Sequence, residues 1–252
     1  MAVNFVQYHT EQHAGDALFN ELRRVFGESG EPTGSDRSAP SPYVVMLAGG
    51  RTPLEVYQRI AQEPPRHVHP ALHLMLSDDR YVGPEDQRSN YRHVRPLAEA
   101  LGLPESRLVH VDGLRQLPEA VEGFDAGIRR LAEREAVFST AVLGIGSDGH
   151  TASLFTHEQL GHPGGDAGSG RLSPAPQRPL ALHTGTHGGL DRISVAGEVL
   201  LAFHSLIFFA TGASKRDVLY ELSRRPETLP AGRLMLAHPN AQVWTDEAPR
   251  VQ

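Results

Sequence analysis

AVLGIGSDGHTASLF, residues 141–155, decides how the rest of the chain is read. An apolar run, TAVLGI (140–145), breaks into Gly144, Gly146 and Gly149 at the G-x-G-x-x-G spacing of a dinucleotide-binding turn. A cofactor turn of that kind also needs a full helix, a second parallel strand and an acidic residue about 20 positions on for the ribose. Here Gly161 and Pro163 limit the helix, and Asp166, near the right distance, sits in GGDAGSG rather than at a strand end. The spacing therefore predicts a tight strand-to-helix turn and no bound cofactor. Asp148 and His150, which the pattern ignores, carry the chemical interest. A neutral imidazole beside a carboxylate is a general base that titrates near neutrality. An Asp-Gly-His loop reads equally well as structural, with Asp148 capping a following helix.

Similar strand-and-turn units lie on either side of this stretch. YVVMLA (43–48) is a short, β-branched apolar run of the kind buried in a parallel sheet, and it stops at Gly49 and Gly50. TPLEVYQRIAQ then reads as a helix with Pro53 in its first turn. LHLMLS (72–77) is a strand running into DDRYV, SRLVHV (106–111) a shorter one, and LIFFAT (206–211) another that leads through GASK into a helix. Residues 10–26 read as an amphipathic helix on Ala14, Leu18, Leu22 and Val25, with Thr10 as its cap, and residues 118–137 as a second on Val121, Phe124, Ile128 and Leu131. RLMLA and AQVWT read as short closing strands, 27–42 as an exposed loop, and 161–190 as a long surface excursion. Strands alternating with helices predict an α/β fold of three layers, a mostly parallel sheet with helices on both faces. No repeat or composition shift divides residues 1–252, so one domain is expected.

Composition narrows the function. Hydrophobic residues at 39% and charged residues at 21% are ordinary for a soluble globular chain. A net charge of −6 gives no electrostatic reason to expect nucleic acid as a partner. Cysteine is absent, which excludes disulfides, thiolate metal sites and a cysteine nucleophile. The opening residues lack the basic segment and apolar run of a secretion signal, and no apolar stretch is long enough for a membrane span; a cytoplasmic location is expected. Nothing in the sequence sets an oligomeric state.

Ligands of parallel sheets bind beyond the carboxyl ends of the strands. There this chain carries GGRT, DDR, GSDGH and TGASK. In GGRTP the glycines let backbone N–H groups approach an anion, and the helix start adds a favourable dipole. Gly212 opens a similar turn toward Lys215, the only lysine of the chain, and Arg80 supplies another cation. Together these predict a phosphate or carboxylate ligand. His67, His69 and His73 are close in sequence but lack a completing carboxylate, so no metal is expected there. No G-x-S-x-G elbow is present for a serine nucleophile.

In order along the chain, LAGGRTPLEVY, SDDRYVGPEDQRSNYRHV, LGIGSDGHTASLF, RISVAGEVLLAFHSLIFFATGASKRDVL and LPAGRLMLAHPNAQVWTDEA resemble the 6-phosphogluconolactonase family, within the wider group that includes glucosamine-6-phosphate deaminases. Arg80 and HTASLF favour the lactonase branch. The resemblance implies the Rossmann-like fold of the sugar-phosphate isomerase/deaminase group. It implies metal-independent hydrolysis of 6-phospho-D-glucono-1,5-lactone to 6-phospho-D-gluconate, the second step of the oxidative pentose phosphate pathway, with a phosphorylated sugar lactone as the only partner and no cofactor. By matching motif positions, His150 is the base that activates water and Asp148 orients it. Gly49, Gly50, Thr52, Arg80, Gly212 and Lys215 would bind phosphate and ring oxygens, with Asp78, Asn90 and Arg192 as further contacts. The alternatives are a deaminase-type enzyme and a non-catalytic sugar-phosphate sensor. Departures from the family pattern lie around the site: Thr156 replaces a usual proline, HTGTHGGLD replaces a proline-rich approach to RIS, and Arg51 stands where serine is common.

Overall fold

The computed structural model describes residues 2–27, 41–161, 167–173 and 178–247. Most of the loop expected at 27–42 lies outside the described residues, as do Pro163, Asp166 and the side chain of Arg51. The apolar runs form β1 (Phe5–Gln7), β2 (Tyr43–Leu47), β3 (Leu72–Leu76), β4 (Asp78–Arg80), β5 (Leu108–Val109), β6 (Val137–Leu143), β7 (Ala181–His187), β8 (Leu190–Val195), β9 (Ser205–Phe209) and β10 (Ala241–Thr245). Between them run α1 (Glu11–Gly27), α2 (Arg51–Gln62), α3 (Asn90–Ala100), α4 (Leu117–Glu133), α5 (His157–Leu160), α6 (Gly197–Ala202), α7 (Arg216–Arg224) and α8 (Pro230–Ala237).

Seven strands pair in parallel in the order β1-β10-β9-β6-β2-β3-β5. Side chains alternate between the faces of a strand, so burying every residue of β2 requires cover on both sides. Val45 and Leu47 pack with Leu18 and Leu22 of α1, Val56 and Ile60 of α2, and Val94 and Leu97 of α3. Val44 and Met46 belong to the opposite core, with Phe124 and Ile128 of α4, Leu200 of α6, Leu219 of α7 and Leu234 of α8. The result is the expected three-layer α/β architecture. Thr10 caps α1 as expected, its Oγ1 accepting from the backbone N–H of His13 at 3.1 Å.

Several local readings are corrected. RLMLA is the end of α8, not a strand: Pro230 sits in its first turn, and Ala231, Leu234 and Met235 bury at helical spacing. A short apolar run does not distinguish the two periods without its flanks. The strand read at 106–111 shrinks to Leu108–Val109, because Glu105–Arg107 form a 3-10 turn. The helix read to residue 137 ends at Glu133, and β6 begins at Val137. The excursion at 161–190 contains a whole strand, β7, which forms one edge of an antiparallel three-stranded sheet of order β4-β8-β7. Polar DDR and the histidine- and glycine-rich run gave no apolar signal for that second sheet.

One buried carboxylate joins the three-stranded sheet to the helical layer. Asp79, 2% exposed, accepts from the backbone N–H groups of Arg80 (2.8 Å), Asn90 (2.6 Å) and Tyr91 (3.0 Å) and from Ser89 Oγ (3.1 Å). Burial pushes its carboxyl up to about 6 against these donors, which pull the other way. This clamp fixes the start of α3 against β4 and so places Arg80 and Asn90. Asp79→Ala leaves the buried N–H groups of Asn90 and Tyr91 and the part-buried one of Arg80 without acceptors, and is expected to cost about 3–5 kcal/mol of unfolding free energy in a urea titration. A loss below about 1 kcal/mol would show that the clamp is not needed.

Candidate active site

Beyond the carboxyl ends of β2, β3, β6 and β9, the loops enclose a cavity of about 550 Å³. Gly49, Gly50, Thr52, Asp78, Arg80, Asn90, Asp148, His150, Arg192 and Lys215 all line it. Gly212 does not. Its φ of +86° makes the turn after β9, and its N–H donates to Asp246 Oδ1 at 2.8 Å. A wider groove of about 840 Å³ between α2 and α3, lined by Leu54, Tyr57, Arg92 and Pro96 among others, holds none of these strand-end residues.

Residues 141–155 form neither a dinucleotide turn nor a turn into a helix. After β6 the chain closes a tight loop, with Gly149 N–H donating to Gly146 O at 3.0 Å and Gly146 N–H to His150 O at 2.9 Å. Thr151 and Leu154 then form an isolated antiparallel bridge, and the four-residue α5 begins only at His157. Asp148 therefore caps no helix. Its Oδ1 lies 2.5 Å from His150 Nδ1 and also accepts the His150 backbone N–H at 3.3 Å. Burial pushes the Asp148 carboxyl up, but the hydrogen bond and charge of His150 outweigh it, and the net direction is below the usual carboxylate range. An ionised Asp148 places the imidazole proton on Nδ1 and leaves the lone pair on Nε2.

Two of the three glycines have distinct tasks. A Cβ on Gly146 would lie 2.1 Å from His150 Nδ1 and 2.5 Å from Asp148 Oδ1. Gly149 adopts φ +81°, and a Cβ there would meet Leu229 Cδ2 at 2.6 Å. Gly144 faces open space. Gly146→Ala is thus expected to displace the imidazole and lower turnover about 10²-fold at unchanged substrate affinity, because misplacing a catalytic group by about 1 Å has that effect. A steady-state assay in which Gly146→Ala matches the parent would contradict this placement.

The cations converge on the same space. Arg80 donates through Nη1 to Asn90 Oδ1, and Asn90 Nδ2 donates to Asp78 O at 2.8 Å. Gly49 is a glycine because a Cβ would lie 2.2 Å from Asn90 Oδ1. Arg192 stands opposite Arg80 in the β4–β8 register. Its Nη2 donates to His187 O at 3.2 Å, and its buried Nε has no partner among the described residues. Burial, then the charge of Arg80, pull the Arg192 guanidinium down from its usual range. Lys215 Nζ donates to Ile145 O at 2.6 Å, which ties the β9 loop to the β6 loop. The first turn of α2 has neither an acidic residue nor a side-chain cap, and Gly50, Thr52 and Pro53 at its start line the cavity. Arg80, Arg192 and Lys215 thus line one cavity.

Asp78 is more a strut than an open contact. Its carboxylate accepts from Ser77 Oγ at 2.7 Å and Ser153 Oγ at 2.6 Å, joining β4 to the loop that carries His150. Sequence reasoning missed Ser153, Phe155 and His187, all of which line the cavity. The first two sit inside HTASLF, and only His187 lay in sequence that looked like plain loop. His69 and His73 are tied to Ala71 through its N–H (3.1 Å) and carbonyl (2.9 Å), and among the described residues no cluster of three metal-competent side chains is found. No helix of the described residues is long and apolar enough to cross a membrane.

Comparison with known proteins follows the same lines. The family model described as glucosamine-6-phosphate isomerases/6-phosphogluconolactonase matches residues 22–244. The 6-phosphogluconolactonase of Haemophilus influenzae is 27% identical over 232 residues, covering 90% of this chain and 89% of that protein. The 6-phosphogluconolactonase of Treponema pallidum is 31% identical over 188 residues, covering 72% of this chain and 73% of its own. The crystal structure of 6-phosphogluconolactonase from Thermotoga maritima superimposes with a TM-score of 0.70 at 24% identity, over 97% of this chain and 98% of that one. The Plasmodium vivax 6-phosphogluconolactonase superimposes with a TM-score of 0.73 at 21% identity, over 97% and 90%. These structural matches carry the fold.

Proposed function

The chain belongs to the glucosamine-6-phosphate isomerase/6-phosphogluconolactonase family, and from that premise we propose that it is an enzyme that hydrolyses 6-phospho-D-glucono-1,5-lactone to 6-phospho-D-gluconate, without a metal. One observation carries the reading: the Nε2 edge of an aspartate-held imidazole and the facing pair Arg80 and Arg192 line one cavity.

The phosphate sits against Arg80 and Arg192, where charge-assisted bonds to guanidinium groups are strong and directional. Gly50, Thr52 and the open start of α2, with Lys215, take further phosphate and ring oxygens. The lactone carbonyl then faces His150. Nε2 accepts a proton from water as the water oxygen bonds to C1, and the carbonyl becomes a tetrahedral oxyanion. Collapse breaks the bond from C1 to the ring oxygen, which takes the proton back from the imidazolium. The products are an open-chain hydroxy acid and the original base. Asp148 holds the tautomer throughout and stabilises the transient imidazolium. General-base help of about 10²–10⁴-fold corresponds to roughly 3–5 kcal/mol, enough for an ester as activated as an aldonolactone.

A coupled assay with glucose-6-phosphate dehydrogenase generates the lactone in place and separates the readings. Faster lactone loss than in buffer is expected, with no ammonia from glucosamine 6-phosphate. Ammonia release would move the assignment to the deaminase branch. Thermal stabilisation by sugar phosphates without any turnover would make the chain a sensor.

A further inference from the structure

We propose that Phe155 and His187 are positioning residues, an aromatic bridge that holds the base and one cation of the site as a single unit. The inference rests on the lactonase reading for its kinetic consequences, but its geometry is independent of it. The Phe155 ring stacks on His187 with centroids 3.4 Å apart and planes 14° from parallel. The same ring packs against His150, with centroids 4.5 Å apart at 40°. His187 in turn accepts the Arg192 guanidinium on its backbone oxygen at 3.2 Å. Base, phenyl ring, second imidazole and cation therefore form one continuous chain of contacts along the cavity wall.

The bridge needs an anchor, because Phe155 lies on a connecting segment and His187 at the very end of β7. Gln159 supplies it. Its Oε1 accepts the backbone N–H groups of Phe155 at 2.7 Å and Thr156 at 3.1 Å, while its Nε2 donates to Thr184 O on β7 at 3.1 Å. One side chain thus fixes the loop bearing Phe155 to the strand bearing His187. Aromatic pairs contribute about 0.5–1.5 kcal/mol beyond their burial, enough to restrict a partly exposed imidazole to one orientation. In this account His187 acts through its ring face and backbone and transfers no proton.

The test compares His187→Ala and His187→Phe with the parent enzyme, reading kcat and KM for 6-phospho-D-glucono-1,5-lactone together with the proton NMR signal of the His150 ring. His187→Ala is expected to lower kcat about tenfold and to raise KM several-fold, since misplaced groups lose rate steeply with distance. It should also shift the His150 signal, because the Phe155 ring above it loses its support. His187→Phe keeps the stack and should recover most of both kinetic losses. Parent-like kinetics and an unshifted His150 signal in His187→Ala would overturn the bridge. So would a folded His187→Phe as impaired as His187→Ala, which would show that a ring nitrogen is required. If the parent enzyme itself fails to turn over the lactone, the functional reading fails alone, and the NMR shift still decides the bridge.

Discussion

His150→Ala is expected to lower kcat for lactone hydrolysis by about 10²–10⁴-fold while leaving the unfolding midpoint nearly where it was. The two halves of that result have separate causes. The imidazole supplies the base, and its removal leaves the bound lactone to unassisted water. The side chain is 30% exposed and its partner Asp148 60% exposed, so little buried contact is lost and the freed carboxylate stays hydrated. KM should change little, because phosphate recognition rests on other residues. Added imidazole should restore part of the rate by diffusing into the space the ring vacated. A variant that keeps parental turnover would remove His150 from the chemistry, and a variant that loses its fold would make the Asp148–His150 pair structural.

Arg192→Met is the second large expectation, with the burden on binding. A guanidinium held half-buried beside Arg80, with a buried Nε that has no acceptor among the described residues, is poorly explained by stability alone. Two like charges side by side repel, and burial adds to the penalty. A phosphate between them would reverse both terms. Losing one charge-assisted contact of this kind is expected to raise KM for the phosphorylated lactone about 10- to 100-fold, or roughly 1.4–2.7 kcal/mol. Gluconolactone without the phosphate should be hydrolysed by parent and variant at similar, low efficiency. The methionine stem fills comparable space, and relief of repulsion should leave the unfolding midpoint unchanged or raised. Equal losses on both substrates would mean that Arg192 serves the reacting carbonyl instead of the phosphate.

Much of this was legible in the sequence, for reasons that also explain the gaps. Strands buried on both faces announce themselves as apolar runs, so YVVML, LHLML and LIFF located the core of the sheet and therefore its carboxyl edge. Ligand chemistry in such folds gathers at that edge, which made Arg80, Asp148, His150 and Lys215 readable as one site. The polar antiparallel sheet was invisible for the converse reason. Asp78–Arg80 and Ala181–His187 each pair with β8, and Asp78, Arg80 and His187 line the cavity instead of a core. With β7 hidden, His187 was read as loop, and its contact with Phe155 across 32 positions had no signature in composition or spacing. Gly212 was misjudged differently. Its place after β9 suggested an open anion-binding turn, and only the three-dimensional structure shows its N–H already given to Asp246. The glycine pattern was the most misleading local signal. Gly146 is there to admit the imidazole and Gly149 to turn the chain beside Leu229, tasks that share a spacing with cofactor turns and nothing else.

The most direct test is the initial rate of proton release from freshly made 6-phospho-D-glucono-1,5-lactone, followed at constant pH with and without the purified protein. The expected rate rises above spontaneous hydrolysis in proportion to protein concentration, and that increment falls by about 10²–10⁴-fold in His150→Ala. A rate indistinguishable from buffer for the unaltered chain would contradict it.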